Sequence, residues 1–276
     1  MDKKLQNFIE RDDCFFIHYA SDGFFNGSNP APKISCIILY NLKTNKTYGF
    51  SIKDYKNNSL EQQEKSILEA FKSFIENYPN ISFIHWAMTS SGFGFGAIQK
   101  RAKDFGIDLP LPDNEHLFDL SSYVAYIAEK RLSVKQILWF NSLLIDDDFL
   151  DGKTEAEYFC KKKFEEIYSS VSLKVHGFAE VVKLLQENKL KIEPPKQNND
   201  GLANTERRKR QLEISKIREK MLKDITEHNK RVLKRKEYVL NEDFEMIEKE
   251  EEHTFLFFDF NHPIFSLFGN WFINRK

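Results

Sequence analysis

The chain has 276 residues, 41 of them Lys or Arg and 42 Asp or Glu, for a formal charge of -1. With 41% hydrophobic and 14% aromatic residues it can bury a real core, which excludes wholesale disorder, and its near-neutrality argues against a chain devoted wholly to polyanions. No apolar run approaches the ~20 residues of a membrane span, and the start lacks the basic, apolar, small-residue progression of a secretory signal, so a cytoplasmic protein away from membranes is expected. Cys14, Cys36 and Cys160 are widely spaced, form no CxxC pair and read as reduced core thiols.

The first 55 residues read as strands. Cys14-Phe-Phe-Ile-His-Tyr-Ala20 and Lys33-Ile-Ser-Cys-Ile-Ile-Leu-Tyr40 are apolar runs separated by a Gly/Asn/Pro loop, and a tight turn at 42–46 leads into Thr47-Tyr-Gly-Phe-Ser-Ile52, which together predict an antiparallel meander. Ser59 with Gln62 three residues on forms a capping box, and Ile67, Leu68, Phe71, Phe74 and Ile75 follow at helical spacing, ending before Pro79. Ile81-Ser-Phe-Ile-His-Trp86 is the next strand. A loop carrying Gly92, Gly94 and Gly96 precedes a helix over 95–105, and helical patterns dominate from Leu117 to Lys191.

Three strands, a helix, a strand and a helix, then mostly helices, describe an α/β chain with an antiparallel start and a parallel crossover. The ribonuclease H-like mixed sheet with flanking helices is one of the few common solutions. We assign residues 1–192 to this domain and the Pro- and Asn-rich stretch 193–205 to a linker. Residues 206–276 form a C-terminal extension, a long basic helix and an aromatic element that packs on the domain or on a partner. Residues 206–237 hold 13 Lys or Arg against 6 acids, with an apolar stripe from Ile214 to Val232, and 242–252 reverse the sign. Thr254-Phe-Leu-Phe-Phe-Asp-Phe260 reads as a strand.

The segment Phe15-Phe-Ile-His-Tyr-Ala-Ser-Asp-Gly23 resembles the opening of the DEDD-type 3'-5' exonucleases of the ribonuclease H-like superfamily, whose first strand ends in Asp-x-Glu-x-Thr-Gly. The resemblance covers roughly residues 12–188 in order of elements. It likens Phe83-Ile-His85-Trp86-Ala87 to the strand ending in His-Asn-Ala, Asp119 to the acid opening a later helix, and Glu155-Ala156 to the last motif, His-x4-Asp-Ala. His18 and Ala20 stand where the family has Asp and Glu, and Leu150 where it has the general-base His. A two-metal site needs several carboxylate oxygens to neutralise its cations, and an imidazole and a methyl do not supply them. Only displaced carboxylates, Asp22, Asp119 and Glu155, remain as catalytic and metal-holding candidates, for magnesium or manganese.

Ile17-His18-Tyr19, His85-Trp86-Ala87-Met88 and Gly94-Phe95-Gly96-Ala97-Ile98 are also similar to segments of uncharacterised bacterial proteins, for which an association with phage defence is an expectation. Three functions follow. The first is nucleic-acid recognition by a degenerate exonuclease-like domain. There His18, His85 and Trp86 line the old cleft, Trp86 stacking a base if exposed, and Arg207, Arg208, Lys209 and Arg210 meet phosphates. The second is an active metal-dependent nuclease. The third is a protein-interaction subunit, binding a partner or a second copy through the C-terminal helix. For His18 and His85 the plain alternative is a satisfied core position, and for the basic helix a solvated face.

Overall fold

A computed structural model describes residues 2–24, 31–55, 58–90, 92–144 and 149–194, together with the backbone of a strand at Phe257–Asp259. These belong to one compact unit, Met1–Pro195 with Phe255–Asn261. The linker beyond residue 194, the basic helix with Arg207 to Arg210, the acidic block and the rest of the aromatic tail lie outside the described residues.

Strands β1 (Cys14–Ser21), β2 (Ile34–Asn41) and β3 (Lys46–Ser51) form the expected antiparallel meander. Asn45 turns the β2–β3 corner with φ 55°, a left-handed conformation that Asn adopts more readily than most residues. Asn41 braces that corner by donating to the Asp12 and Cys14 carbonyls and accepting from the Thr44 amide. Strand β4 (Ser82–His85) then runs parallel to β1, after helix α2 (Leu60–Glu76) has crossed over. The capping box of Ser59 and Gln62 starts that helix.

Beyond β4 come a short hairpin, β5 (Thr89–Ser90) with β6 (Phe93–Gly94), and helix α3 (Phe95–Asp104). Strand β7 (Leu117–Asp119) pairs in parallel with β4, and β8 (Phe257–Asp259) lies antiparallel to β3. The sheet order is β7-β4-β1-β2-β3-β8. A central β1 flanked by an antiparallel pair on one side and parallel strands on the other is the ribonuclease H-like mixed sheet.

The eight residues of β1 and the eight of β2 are all buried because both faces of the sheet are covered. On one face Phe15, Ile17, Ile37, Leu39, Tyr48, Phe50 and Phe83 meet α2 and α3. The Phe15 ring stands edge-on to Phe74 and Tyr78, and Phe83 stacks on Phe95. Burying each such side chain contributes about 1.5–3 kcal/mol before entropy is counted. Helices α6 (Gly152–Cys160) and α7 (Phe164–Gln186) cover the other face, against Phe16, His18, Ala20, Cys36, Ile38 and Tyr40. Outside α7 lies α5 (Val134–Phe140), which follows α4 (Leu120–Ala128).

Four local expectations need correction. Cys160 is exposed at the end of α6 rather than a core thiol, whereas Cys14 and Cys36 are buried. The first 55 residues are not all strand, because α1 (Lys3–Ile9) precedes them, capped by Asp2 and burying Leu5 and Phe8. Leu117–Asp119 is a strand rather than the start of a helical run, since three residues are too few to display a period of two. The glycine-rich loop is a hairpin. Gly94 ends it with φ 125°, and a Cβ there would overlap the Met88 carbonyl.

Gly49 of β3 makes room for α7. A Cβ at Gly49 would run into the Tyr168 ring, which is held by its own helix. Gly49→Ala is therefore expected to cost about 1–3 kcal/mol of unfolding free energy through overpacking, measured by denaturant titration. An unchanged midpoint would mean that Tyr168 does not seat there.

Candidate functional site at the carboxyl ends of the parallel strands

In open α/β sheets a site forms at the carboxyl ends of parallel strands, where neighbouring connections diverge. Here those ends carry His18 and Asp22 on or after β1, His85 and Trp86 at the end of β4, and Asp119 at the end of β7. Strand β4 stops pairing with β1 at Ile17, so the edge of β1 from His18 onward is open to other groups. The hairpin fills that edge: Phe93 stacks on Tyr19 at 4.4 Å between ring centroids and lies 5.6 Å from the His18 ring. The Gly94 amide donates to the Tyr19 hydroxyl at 3.0 Å.

Parallel partners share a face, so the register separates groups that neighbour in sequence. His85 pairs with Ile17 on one side and Asp119 on the other, which sets His85 and Asp119 on the α2 and α3 face. His18 is on the opposite face, its ring edge-on to Phe178 of α7 at 5.6 Å. The two histidines therefore do not share one cleft. Trp86 is 7% exposed and stacks on Phe178, so the exposure that base stacking requires is missing.

Each candidate carboxylate already holds a local partner. Asp22 accepts from the Lys33 amide at 2.7 Å, fixing the chain as it enters β2. Asp119 caps α4: it accepts from Ser121 N and Oγ, Ser122 Oγ and Ala87 N. Burial works to raise its pKa, but these hydrogen bonds prevail and hold the carboxyl below the usual value.

Glu155 is buried under α7, where Lys174 Nζ donates to its Oε1 at 2.7 Å and Ser170 Oγ lies 3.2 Å away. Burial pushes the Glu155 carboxyl up, and Lys174 pulls it back. An ammonium thus sits on the acid likened to that of the last motif. Asp119 points to the other face of the sheet from Glu155. Among the described residues no group of three or more His, Cys, Asp or Glu side chains could hold a metal ion. The donor set does not fit the two-cation centre that the exonuclease resemblance implies.

Two buried imidazole nitrogens lack a hydrogen-bond partner among the described residues, His18 Nδ1 and His85 Nε2. Met88 N donates to His85 Nδ1 at 3.2 Å, so the His85 proton resides on Nε2. Burial holds His85 down at about 4, outweighing Asp119, and holds His18 well below the ordinary histidine value, with Lys174 and His85 adding to the effect. Both rings are neutral, and leaving such nitrogens unsatisfied costs about 1–3 kcal/mol each.

Lys174, Ser170, Phe178 and Phe93 escape the sequence reading. Ser170, Lys174 and Phe178 recur at steps of four, and Lys174 stands among Val171, Val175 and Phe178 on the buried stripe of α7. A cation in that stripe is the signal that could have marked it. Phe24, 66% exposed and 6.2 Å from the Phe93 ring, is an outward-facing aromatic beside the same strand ends.

Among the described residues no helix is long and apolar enough to cross a membrane. Compared with known proteins, the chain matches no protein-family model and no curated protein sequence, so the ribonuclease H-like assignment rests on the sheet itself.

Proposed function

We propose that this protein recognises nucleic acid through a ribonuclease H-like domain that no longer works as a nuclease. The observation that carries this reading is the buried pair of Glu155 and Lys174. An exonuclease of this type would use its last acid to hold a divalent cation, and here that acid is neutralised by an internal ammonium and covered by α7. His18 and Ala20 in place of the first two acids support the same conclusion.

Affinity then comes from cations outside the old centre. Arg207 to Arg210 and the basic stretch that follows supply a local excess of positive charge in a chain whose total is -1. Binding to a labelled single strand is expected to weaken steeply with salt. Reversing the four charges at 207–210 should flatten the log–log slope by up to about 2.8, at roughly 0.7 per phosphate for a single strand. A slope unchanged by the reversal removes this segment from the interface. Degradation of the strand with magnesium or manganese, abolished by Asp22→Ala, would instead favour the nuclease reading.

A further inference from the structure

Without β8, strand β3 would be an edge of the sheet. Sheets usually guard an edge with a proline, a bulge or an inserted charge, because its open main-chain groups invite another strand. Strand β3 has none of these from Thr47 to Ser51, and its register with β2 runs unbroken from Lys46 to Ser51. It is a ready template for pairing.

Helices cover both faces of that template. Tyr48 and Phe50 meet Phe74 of α2, at 4.8 and 5.7 Å between ring centroids. On the other face Thr47 Oγ1 lies 2.8 Å from His176 Nε2 of α7, and Tyr168 of the same helix leaves no room for a Cβ at Gly49. A strand buried between two layers reads as a continuous apolar run rather than an alternating one. An acceptor of this kind therefore selects a donor with apolar residues at successive positions.

The chain carries such a donor in Phe255-Leu-Phe-Phe-Asp-Phe260, which opens on four successive apolar residues and holds no proline or glycine. Its residues Phe257–Asp259 are β8, paired antiparallel with Tyr48 to Lys46. That ladder is three residues long, and main-chain pairing is the same whichever copy of the chain supplies the strand. Nothing in it marks the donor as the chain's own.

We propose that the β3 edge is a strand-acceptor site whose ligand is the segment 255–260 of a second copy, exchanged for the chain's own tail to give a dimer. Each copy then donates its tail and accepts its partner's. Exchange gives up no contact, so mass action against the local concentration of the tethered tail sets the balance between closed monomer and exchanged dimer. The inference is independent of the nucleic-acid reading above.

The test combines light scattering of the full chain, from micromolar to about millimolar, with a labelled peptide of residues 254–260 carrying added lysines for solubility. The dimer fraction is expected to rise with concentration and to fall as excess peptide takes the edge. Phe257→Pro and Phe258→Pro each remove one N–H from the tail. Successive N–H groups of a strand point to opposite sides, so one of the two substitutions breaks the ladder. In the full chain that variant should bind the peptide about tenfold or more tightly than the wild type does, since no tethered strand competes. A circular dichroism spectrum matching the wild type checks its fold.

A wild type that stays monomeric across this range would overturn exchange between copies. A dimer that excess peptide leaves intact uses another surface and would overturn the site. Equal affinity of the wild type and both proline variants for the peptide, or no affinity in any of them, would overturn the edge as an acceptor.

Discussion

Lowering the pH from 7 to 5 is expected to remove about 4 kcal/mol of unfolding free energy through His85 and His176 alone, about 2 kcal/mol each, with His18 adding in the same direction. Burial holds His85 and His176 at about 4, Asp119 opposing it at the first and Lys183 reinforcing it at the second. Their folded values lie below the unfolded one near 6.5, so the stability they contribute is complete above that pH. It is lost as the pH falls toward 4, because only the unfolded chain takes up the proton.

The carboxylates held low, Asp104, Asp119 and Asp151, act below this window, since their unfolded values are already acidic. Glu155, raised by burial, runs the other way and is restrained by Lys174. Domains of this size have a total stability of about 5–15 kcal/mol, so much of it should be gone by pH 5. Denaturant unfolding at the two pH values measures the loss. Equal stability at both would mean that these rings take up protons in the folded state.

Lys174→Met is expected to destabilise the fold by about 3–5 kcal/mol, the usual cost of removing one partner of a buried ion pair and stranding the other. Ser170 is the only other side chain bonded to Glu155 among the described residues, and one hydroxyl does not compensate a buried carboxylate. Replacing both partners, Lys174→Met with Glu155→Leu, should recover most of the loss, because two apolar groups of similar volume need no solvation.

The comparison also bears on function. If the pair is structural, magnesium or manganese should leave the thermal midpoint of the wild type unchanged. A rise of several degrees at millimolar metal would show that Glu155 exchanges Lys174 for a cation, and would move the nuclease reading ahead of recognition alone.

How much of this was legible before folding depends on how far apart the interacting groups are. The meander was legible because its apolar runs and turn lie within 40 residues, and helix α2 because Ser59 and Gln62 cap it locally. That His18 and Ala20 stand where the exonuclease resemblance would put acids was legible at once. Helix α1 and strand β7 were not, being too short to show a period. The idea that His18 and His85 meet failed for a reason that no spacing reveals, since one residue of register moves a side chain to the other face.

By itself, then, the sequence determined the longer elements, the antiparallel start and parallel crossover they form, and the identities of His18 and Ala20 on the first strand. These follow from short-range periodicity, caps and residue identity. Only the tertiary structure decided the surroundings of the acid likened to the last motif. Glu155 meets Lys174 from nineteen residues away because α6 and α7 fold onto the same face of β1, and in that low-dielectric layer a buried carboxylate must find a cation. It also decided that Trp86 is core, because an aromatic ring's role is set by what packs against it, here Phe178.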